Sequence, residues 1–212
     1  MNIAIIGAGQ VGVALGAAWV RAGHQITYGV RDPAAAKVNQ ALAATGPGVT
    51  ATTNDKAAGA ADVILLATPW PATRDAVASC GDLRGKIVID ATNPLASGPA
   101  GLALALGHTT SGGEQVAQWA SGASVFKTFN QTGAPNMADP DFGGRRAVMF
   151  VAGDDAARKP VIMKLVEEVG FEAVDAGNLA ASRLLEPLAM LWIHLALNQR
   201  MGADFAYALL KR

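Results

Sequence analysis

Cysteine and charge are both scarce in this sequence. Cys80 is the single cysteine among 212 residues, so no disulfide can form within the chain, as is typical of proteins of the reducing cytoplasm. Charged residues make up 16% of the chain, and 17 basic residues balance 17 acidic ones. Because there is no run of Lys and Arg, we do not expect a nucleic-acid partner. Small molecules, or a second copy of the chain, are the expected partners.

Long hydrophobic runs are also missing. The most apolar stretch, Pro187 to Leu197, is well short of the ~20 residues needed to cross a bilayer. The N-terminal MNIAIIGAGQ lacks the charged segment and cleavage site of a signal peptide, and it begins like a β-strand. The sequence therefore predicts a cytoplasmic protein with no membrane part.

Side chains suited to acid–base or metal chemistry are few and scattered. His24 and His108 lie in glycine-flanked turns, and His194 lies in an apolar segment, as expected of a core or interface residue. Glu186 fits either a site carboxylate or a charge on a helix surface. No cluster has metal-ligand spacing and no nucleophile–base pair is evident, so the sequence predicts no metal site and names no catalytic residue.

Short β-branched runs alternate with longer alanine-rich segments along most of the chain. Runs that are apolar on both faces are typical of a parallel sheet covered by helices. Strands are predicted at 3–6, 26–30, 63–67, 86–90, 124–129 and 147–152, and helices at 10–22, 33–44, 71–79, 113–120 and 154–169. The alternation predicts an α/β fold of the doubly wound Rossmann type, a mostly parallel sheet built from right-handed βαβ units.

The pattern changes after residue 175. Residues 1–175 are expected to form the Rossmann domain, and residues 176–212 a helical segment packed on it, with helices interrupted near Pro187 and Gly202. Its apolar stripe exceeds what a lone surface helix needs, so it is either a dimer contact, which we favour, or core within the chain. The stripe consists of Leu184, Leu188, Leu191, Trp192 and Leu195.

The sequence GAGQVG, residues 7–12, follows the first predicted strand and opens a helix. Gly7 permits a tight turn, Gly9 lets a pyrophosphate approach the backbone, and Gly12 allows close contact between helix and strand. The helix N-terminus supplies N–H groups and a positive dipole end. We therefore predict a dinucleotide bound by Gly7, Gly9, Gln10, Val11 and Gly12.

The end of the second strand indicates which dinucleotide. Val30 stands where an acid would hold the adenosine ribose of NAD, and Arg31 follows it. A guanidinium can bind a 2′-phosphate, so NADP is favoured over NAD. Asp32 keeps NAD open, because a shift by one residue would restore the carboxylate.

Three further turns follow predicted strands and should lie at the same carboxyl edge of the sheet. Ligands of open α/β sheets bind along this edge. The first two turns are predicted to line the cofactor groove through Ala67, Thr68, Pro69, Trp70, Asn93 and Pro94. The third, in KTFNQTGAPNM, is rich in amides and hydroxyls and is predicted to face the second substrate through Phe129, Asn130, Gln131 and Thr132. Plain turn chemistry is the alternative for all three, since Pro, Asn and Gly are common in turns.

These turns, taken in order, resemble the NADPH:8-hydroxy-5-deazaflavin oxidoreductase family, which couples NADP(H) to the deazaflavin coenzyme F420. The resemblance covers nearly the whole chain through IIGAGQVG, GHQITYGVRD, TPW, SGGEQVA, KTFNQTG, VAGDD and DAGNLAASRLLEPLAMLW. It implies a Rossmann domain with a small helical C-terminal part, often dimeric, with NADP bound across Gly7–Gly12 and Arg31 and near Thr68–Trp70. It also implies direct hydride transfer between nicotinamide and deazaflavin without a dedicated acid–base residue.

The reductase domains of membrane ferric reductases look like relatives, and the KTFNQTG turn resembles theirs more closely. Val30 stands in place of a serine of the deazaflavin enzymes, and the phosphate loop is one residue shorter. We therefore predict an NADP-dependent oxidoreductase that passes hydride to or from F420 or a flavin such as FMN or FAD. The alternatives are a reductase of a small imine or carbonyl, similar to pyrroline-carboxylate reductases, and a non-catalytic NADP-binding redox sensor.

Overall fold

A single eight-stranded sheet organises the chain. The computed structural model describes residues 1–98, 101–210 and 212. The strand order is β10-β9-β8-β5-β4-β1-β2-β3, and β6 and β7 form a separate antiparallel hairpin. The strands are β1 Asn2–Ile6, β2 Gln25–Gly29, β3 Thr50–Thr52, β4 Val63–Leu66, β5 Ile87–Asp90, β6 Leu95–Gly98, β7 Gly101–Leu104, β8 Ser124–Lys127, β9 Val148–Gly153 and β10 Glu172–Asp175.

Helices cover both faces of the sheet. One core layer lies between the sheet and helices α1 and α7, and the other lies between the sheet and helices α3, α4 and α5. This arrangement, doubly wound and mostly parallel, confirms the predicted fold class. The helices are α1 Gln10–Arg21, α2 Ala36–Thr45, α3 Asn54–Ala60, α4 Trp70–Ala78, α5 Gly112–Trp119, α6 Ala134–Ala138, α7 Lys159–Val169 and α8 Ser182–Ile193.

Strand directions decide where the functional edge lies. Strands β1 to β5 and β8 are parallel, so their carboxyl ends meet at one edge of the sheet. Strand β9 is antiparallel to β8, and β10 is parallel to β9. The predicted βαβ succession is therefore wrong beyond β8, because the connection 128–147 contains only the short helix α6 and enters β9 from the carboxyl edge.

The C-terminal segment differs from its prediction at both expected breaks. Helix α8 continues through Pro187, which lies on the exposed side, where water can serve the carbonyl that loses its partner. The helix ends in a π-turn at His194–Asn198, and Arg200 and Gly202 then have positive φ angles of 57° and 78°. No helix follows in residues 203–210. Their backbone instead accepts hydrogen bonds from Asn136 and Trp192.

The helical stretch Leu179–Asn198 is the one candidate membrane span among the described residues, by its 20-residue length and composition. In the structure 39% of the most apolar 18-residue segment of this stretch is buried in the protein. Glu186, in the middle of this stretch, is buried against α5 and β8. The buried side of this helical stretch is therefore part of the folded domain.

Candidate active site

The glycine loop has the shape that close approach of a ligand requires. Gly7 has a φ angle of +108°, and a Cβ atom added there would lie 2.7 Å from the carbonyl oxygen of Ala67. A Cβ on Gly12 would lie 2.6 Å from the carbonyl oxygen of Gly7. Gly9 differs, because a Cβ there would meet nothing within 4 Å. Gly7 and Gly12 thus serve the fold, whereas Gly9 leaves open space above the loop.

The N-terminus of α1 faces this open space. Its N-cap residue is Gly9, no side chain caps the helix, and the first turn carries no acidic residue. Gln10 is exposed and Val11 half-buried at the start of the helix. Uncapped N–H groups and the positive dipole end fit the pyrophosphate of a dinucleotide. The residues present therefore fit the predicted cofactor.

The end of β2 presents a free cation beside the loop. Val30 is half-buried and Arg31 is exposed. Among the described residues no partner is recorded for the Arg31 guanidinium, whereas the Asp32 carboxylate accepts a hydrogen bond of 3.0 Å from the backbone of Ala34. The carboxylate is thus engaged in its own turn, and the guanidinium is the group open to an anion. We call Gly7–Gly12 with Val30 and Arg31 the glycine-loop half of the edge.

The turn after β4 borders the glycine loop from the other side. Ala67 and Thr68 lie against Gly7, and Pro69 is exposed at the N-cap of α4. The Trp70 ring is 5.3 Å from the Trp119 ring of α5. Trp70 therefore joins two helices, and its ring is largely engaged in packing.

A second group of polar residues occupies the edge at β5 and β8. Two asparagines exchange hydrogen bonds there: the Asn93 amide donates to the carbonyl oxygen of Asn130 at 2.8 Å, and the Asn130 amide donates to Asn93 Oδ1 at 3.0 Å. The side chain of Gln131 pairs with both the N–H and the carbonyl of Phe150. We call Asp90, Thr92, Asn93, Lys127, Asn130 and Gln131 the polar half of the edge.

The polar half corrects part of the substrate-site prediction. Phe129 is fully buried in the core and lies edge-on to Trp19 at 5.7 Å, so its ring does not face a ligand. Asn130 and Gln131 are 4% and 2% exposed, since their amides are used within the network. Pro94 is buried as well, whereas Asn93 and Thr132 remain half-buried at the edge. Asn93 and Thr132 are therefore the more accessible of these side chains, and the substrate site stays a prediction.

Lys127 is the centre of this network and is completely buried. Its ammonium donates to Asp90 Oδ2 at 2.9 Å, to the carbonyl oxygen of Thr92 at 2.7 Å and to Glu186 Oε1 at 2.8 Å. Burial alone would lower the pKa of Lys127, but attraction to Asp90 and Glu186 outweighs this effect and raises the pKa. The lysine is therefore protonated at neutral pH and has no access to solvent.

Glu186 is neither a surface charge nor an exposed site carboxylate. Its two oxygens accept hydrogen bonds from the backbone N–H groups of Gly112 and Gly113, at 2.9 and 3.0 Å. These groups begin α5, so an internal carboxylate occupies the anion site at this helix N-terminus. A Cβ on Gly113 would lie 2.5 Å from Ser182 Oγ, which explains why a glycine stands in the first turn of α5.

Sequence reasoning missed the trio Asp90, Lys127 and Glu186 as a unit. One signal was present: a charged residue directly follows a buried apolar run at the end of two strands, IVID and SVFK. The remaining candidates lie elsewhere. His24 contacts Glu168 at 2.7 Å, and His194 is exposed. A groove of about 860 Å³ runs between the loop after β7 and the outer face of α8, and none of the predicted site residues lines it.

Comparison with known proteins agrees with these features. The family "NADP oxidoreductase coenzyme F420-dependent" matches residues 2–94. The F420-dependent NADP reductase of Methanothermobacter thermautotrophicus is 30% identical over 213 aligned positions, covering 95% of this chain and 91% of the relative. The chain belongs to the F420-dependent NADP reductase family. The predicted resemblance is thereby confirmed.

Two other proteins, one solved structure and one metalloreductase, are also similar to this chain. A candidate F420-dependent NADP reductase from Arthrobacter sp. FB24, solved by crystallography, superposes with a TM-score of 0.90 at 31% identity and full coverage of both chains. The metalloreductase STEAP3 of Rattus norvegicus is 26% identical over 89% of this chain but only 36% of its own length. The predicted kinship with ferric reductases is also confirmed.

Proposed function

We propose that the protein transfers a hydride between the nicotinamide of NADP(H) and the deazaflavin ring of coenzyme F420. The observation that carries this proposal is an uncapped, glycine-shaped α1 N-terminus in a chain related over 95% of its length to an F420-dependent NADP reductase. Arg31 would hold the 2′-phosphate and the glycine loop the pyrophosphate. The nicotinamide would then extend along the edge toward Asn93 and the polar half.

The side chains of the polar half suit positioning better than proton transfer. Lys127 is enclosed by three acceptors, and the amides of Asn130 and Gln131 are occupied. Hydride transfer between two bound rings needs alignment and exclusion of water, while the cofactors supply the chemistry. Reduction of an imine or carbonyl usually needs a proton donor, and the polar half presents no free acid. We therefore favour deazaflavin reduction as the function and keep imine reduction as the second candidate.

A direct assay tests the proposal. Purified protein is mixed with NADPH and, separately, with F420, FMN and FAD, and NADPH oxidation is followed by absorbance. We expect turnover with F420 and little or none with FMN or FAD. Turnover only with FMN or FAD would indicate a flavin acceptor, as we expect of the relatives among the ferric reductases, and would refute F420 as the acceptor. Tight NADPH binding without turnover of any acceptor would favour a redox sensor.

We further propose that the protein is a cytoplasmic homodimer. Leu184, Leu191, Leu197 and Met201, on α8 and in the residues that follow it, are 48–73% exposed. An apolar helical stripe of this kind suits a self-complementary contact across a two-fold axis. Light scattering should give a dimer, and Leu191→Glu should give a monomer. A wild-type monomer at assay concentration would refute the contact.

A further inference from the structure

We propose that Lys127 is a positioning residue, which sets the polar half of the edge at the distance from α8 that hydride transfer requires. This inference rests on the proposed function and adds a specific role for a lysine that touches no ligand. Three elements meet at its ammonium: the turn after β5, the end of β8 and the middle of α8.

The first connection runs from Lys127 to Asn93. The Lys127 ammonium holds both Asp90 Oδ2 and the carbonyl oxygen of Thr92. The other oxygen, Asp90 Oδ1, accepts hydrogen bonds from the Thr92 N–H at 2.9 Å and from its hydroxyl at 2.7 Å. Thr92 is thus fixed at its backbone nitrogen, its hydroxyl and its carbonyl. Asn93, the next residue, has little freedom to move along the edge.

The second connection runs from Lys127 to α8. Glu186 shares its Oε1 between the Lys127 ammonium and the N–H of Gly113. One residue earlier on α8, the carbonyl of Leu185 accepts a hydrogen bond from the Asn130 amide at 3.2 Å. Asn130 is therefore bonded to α8 one residue before the carboxylate that Lys127 binds, and Asn93 is connected to α8 through Asn130.

Stability alone does not account for this arrangement. Lys127 and Asp90 are both 0% exposed and Glu186 is 1% exposed, so three charges have been taken out of water. Replacing such a buried group by apolar side chains of similar size is often neutral or stabilising. All three N–H bonds of the ammonium are directed at acceptors, two at the end of β5 and in the turn after it and one on α8, which gives a defined geometry that an apolar cluster would lack.

The test separates geometry from stability through three variants. Lys127→Met removes the cation and leaves two buried carboxylates, and Glu186→Gln keeps the shape while removing one charge. The double variant, Lys127→Met with Glu186→Gln, removes both charges. We expect the double variant to have a higher Tm than Lys127→Met. Its hydride transfer with F420 should nevertheless stay slower than wild type by about a hundredfold, as for a displacement of about 1 Å.

Two ligands report where the change acts. In the proposed complex NADPH extends to the polar half, whereas 2′,5′-ADP carries the same phosphorylated adenosine without nicotinamide. In the double variant we expect unchanged affinity for 2′,5′-ADP, a weaker affinity for NADPH, and a larger deuterium isotope effect on kcat with NADPH labelled at the transferred hydrogen. Glu168→Gln is the matched control, because it breaks the part-buried contact with His24 at the opposite edge of the sheet. It should leave all three readouts as in the wild type.

Two results would overturn the inference. The first is parallel recovery of Tm and kcat in the double variant, which would make Lys127 merely structural. The second is an equal loss of affinity for NADPH and 2′,5′-ADP, which would indicate a general loosening of the fold. An inactive wild type would instead refute F420 as the acceptor. The affinity ratio for the two ligands would still test Lys127.

Discussion

The two halves of the carboxyl edge achieve their shape by different means. In the glycine-loop half the backbone is the contact surface: Gly9 is open, α1 is uncapped, and the one charged side chain, Arg31, is exposed. In the polar half the side chains are buried and bonded to one another around Lys127. The first half has the exposed N–H groups and the cation that suit the proposed binding of an anion. The second half is built to keep its groups in place. Three substitutions test this difference, and a fourth tests an ion pair just outside the polar half.

The largest effect is expected from Glu186→Ala on α8, which removes a contact of the polar half. It removes one partner of the buried lysine and uncaps the first N–H groups of α5. Breaking a buried pair in this way costs about 3–5 kcal/mol of unfolding free energy. Urea unfolding at neutral pH measures the loss. Asp82→Ala, which breaks an exposed pair with Arg84, should change nothing measurable, and equal effects of the two variants would remove the contrast between buried and exposed pairs.

Arg31→Ala in the glycine-loop half should act on selectivity and leave stability intact. A charged hydrogen-bond partner contributes about 1.5–3 kcal/mol, so affinity for NADPH should fall by roughly tenfold to a hundredfold. Affinity for NADH should stay as it is, because that cofactor has no 2′-phosphate. Fluorescence titration with both cofactors measures the ratio. Tighter wild-type binding of NADH than of NADPH would instead identify Asp32 as the ribose partner.

Gly9→Ala should weaken cofactor binding while leaving the fold untouched. Its Cβ would enter the open space above the loop, where the pyrophosphate has to approach, so NADPH affinity should fall at least about tenfold, or 1.4 kcal/mol. The unfolding free energy should equal that of the wild type. Gly7→Ala is the contrasting variant, since its φ of +108° and the nearby Ala67 carbonyl predict a loss of about 1–3 kcal/mol in stability. Equal destabilisation by both variants would contradict the division of roles.

The smallest effect concerns Glu114, which lies just outside the polar half. The hydrogen bond from Arg183 lowers the pKa of Glu114, with a further contribution from Ser111. A lowered pKa adds stability above the unfolded pKa of about 4.3, and this stability is lost as the pH falls through the folded pKa. Glu114→Gln should therefore cost a few tenths to about 1 kcal/mol at pH ~7 and almost nothing in strong acid. A difference that persists in acid would exclude the ion pair as its source.

The backbone of the glycine-loop half could be predicted because the relevant signals are local, whereas its role in binding the cofactor stays a prediction. GAGQVG and the residues after β2 each specify a backbone shape within a few positions, and the open Gly9 and free Arg31 fit those expectations. Strands β1, β2, β4, β5, β8 and β9 and most of the described helices were predicted for the same reason. Missed elements are short or weakly patterned: β3 has three residues, and α3 has seven residues of mixed polarity.

The polar half could not be predicted to the same degree because its contacts join residues that are far apart in the sequence. Asp90, Lys127 and Glu186 come from three distant parts of the sequence, and only the packing of α8 brings the carboxylate of the third onto the lysine. The sequence placed Asn130 and Gln131 at the correct edge. It could not show that their amides bond to Leu185 and Phe150 of other elements. The positive φ of 59° at Phe129, which turns that ring into the core, had no sequence signal either.

The contact between Lys127 and Glu186 also bears on how the protein is completed during synthesis. Strands β5 and β8 leave the ribosome before α8 does. Lys127 and the N-terminus of α5 therefore lack their partner, the Glu186 carboxylate, until α8 has been translated. Until then α8 is missing from its place against α5 and β8, and the Lys127 ammonium lacks one of its two carboxylate partners. We therefore expect a chain that stops after residue 175 to remain bound by chaperones, and the final segment to complete the domain as it emerges.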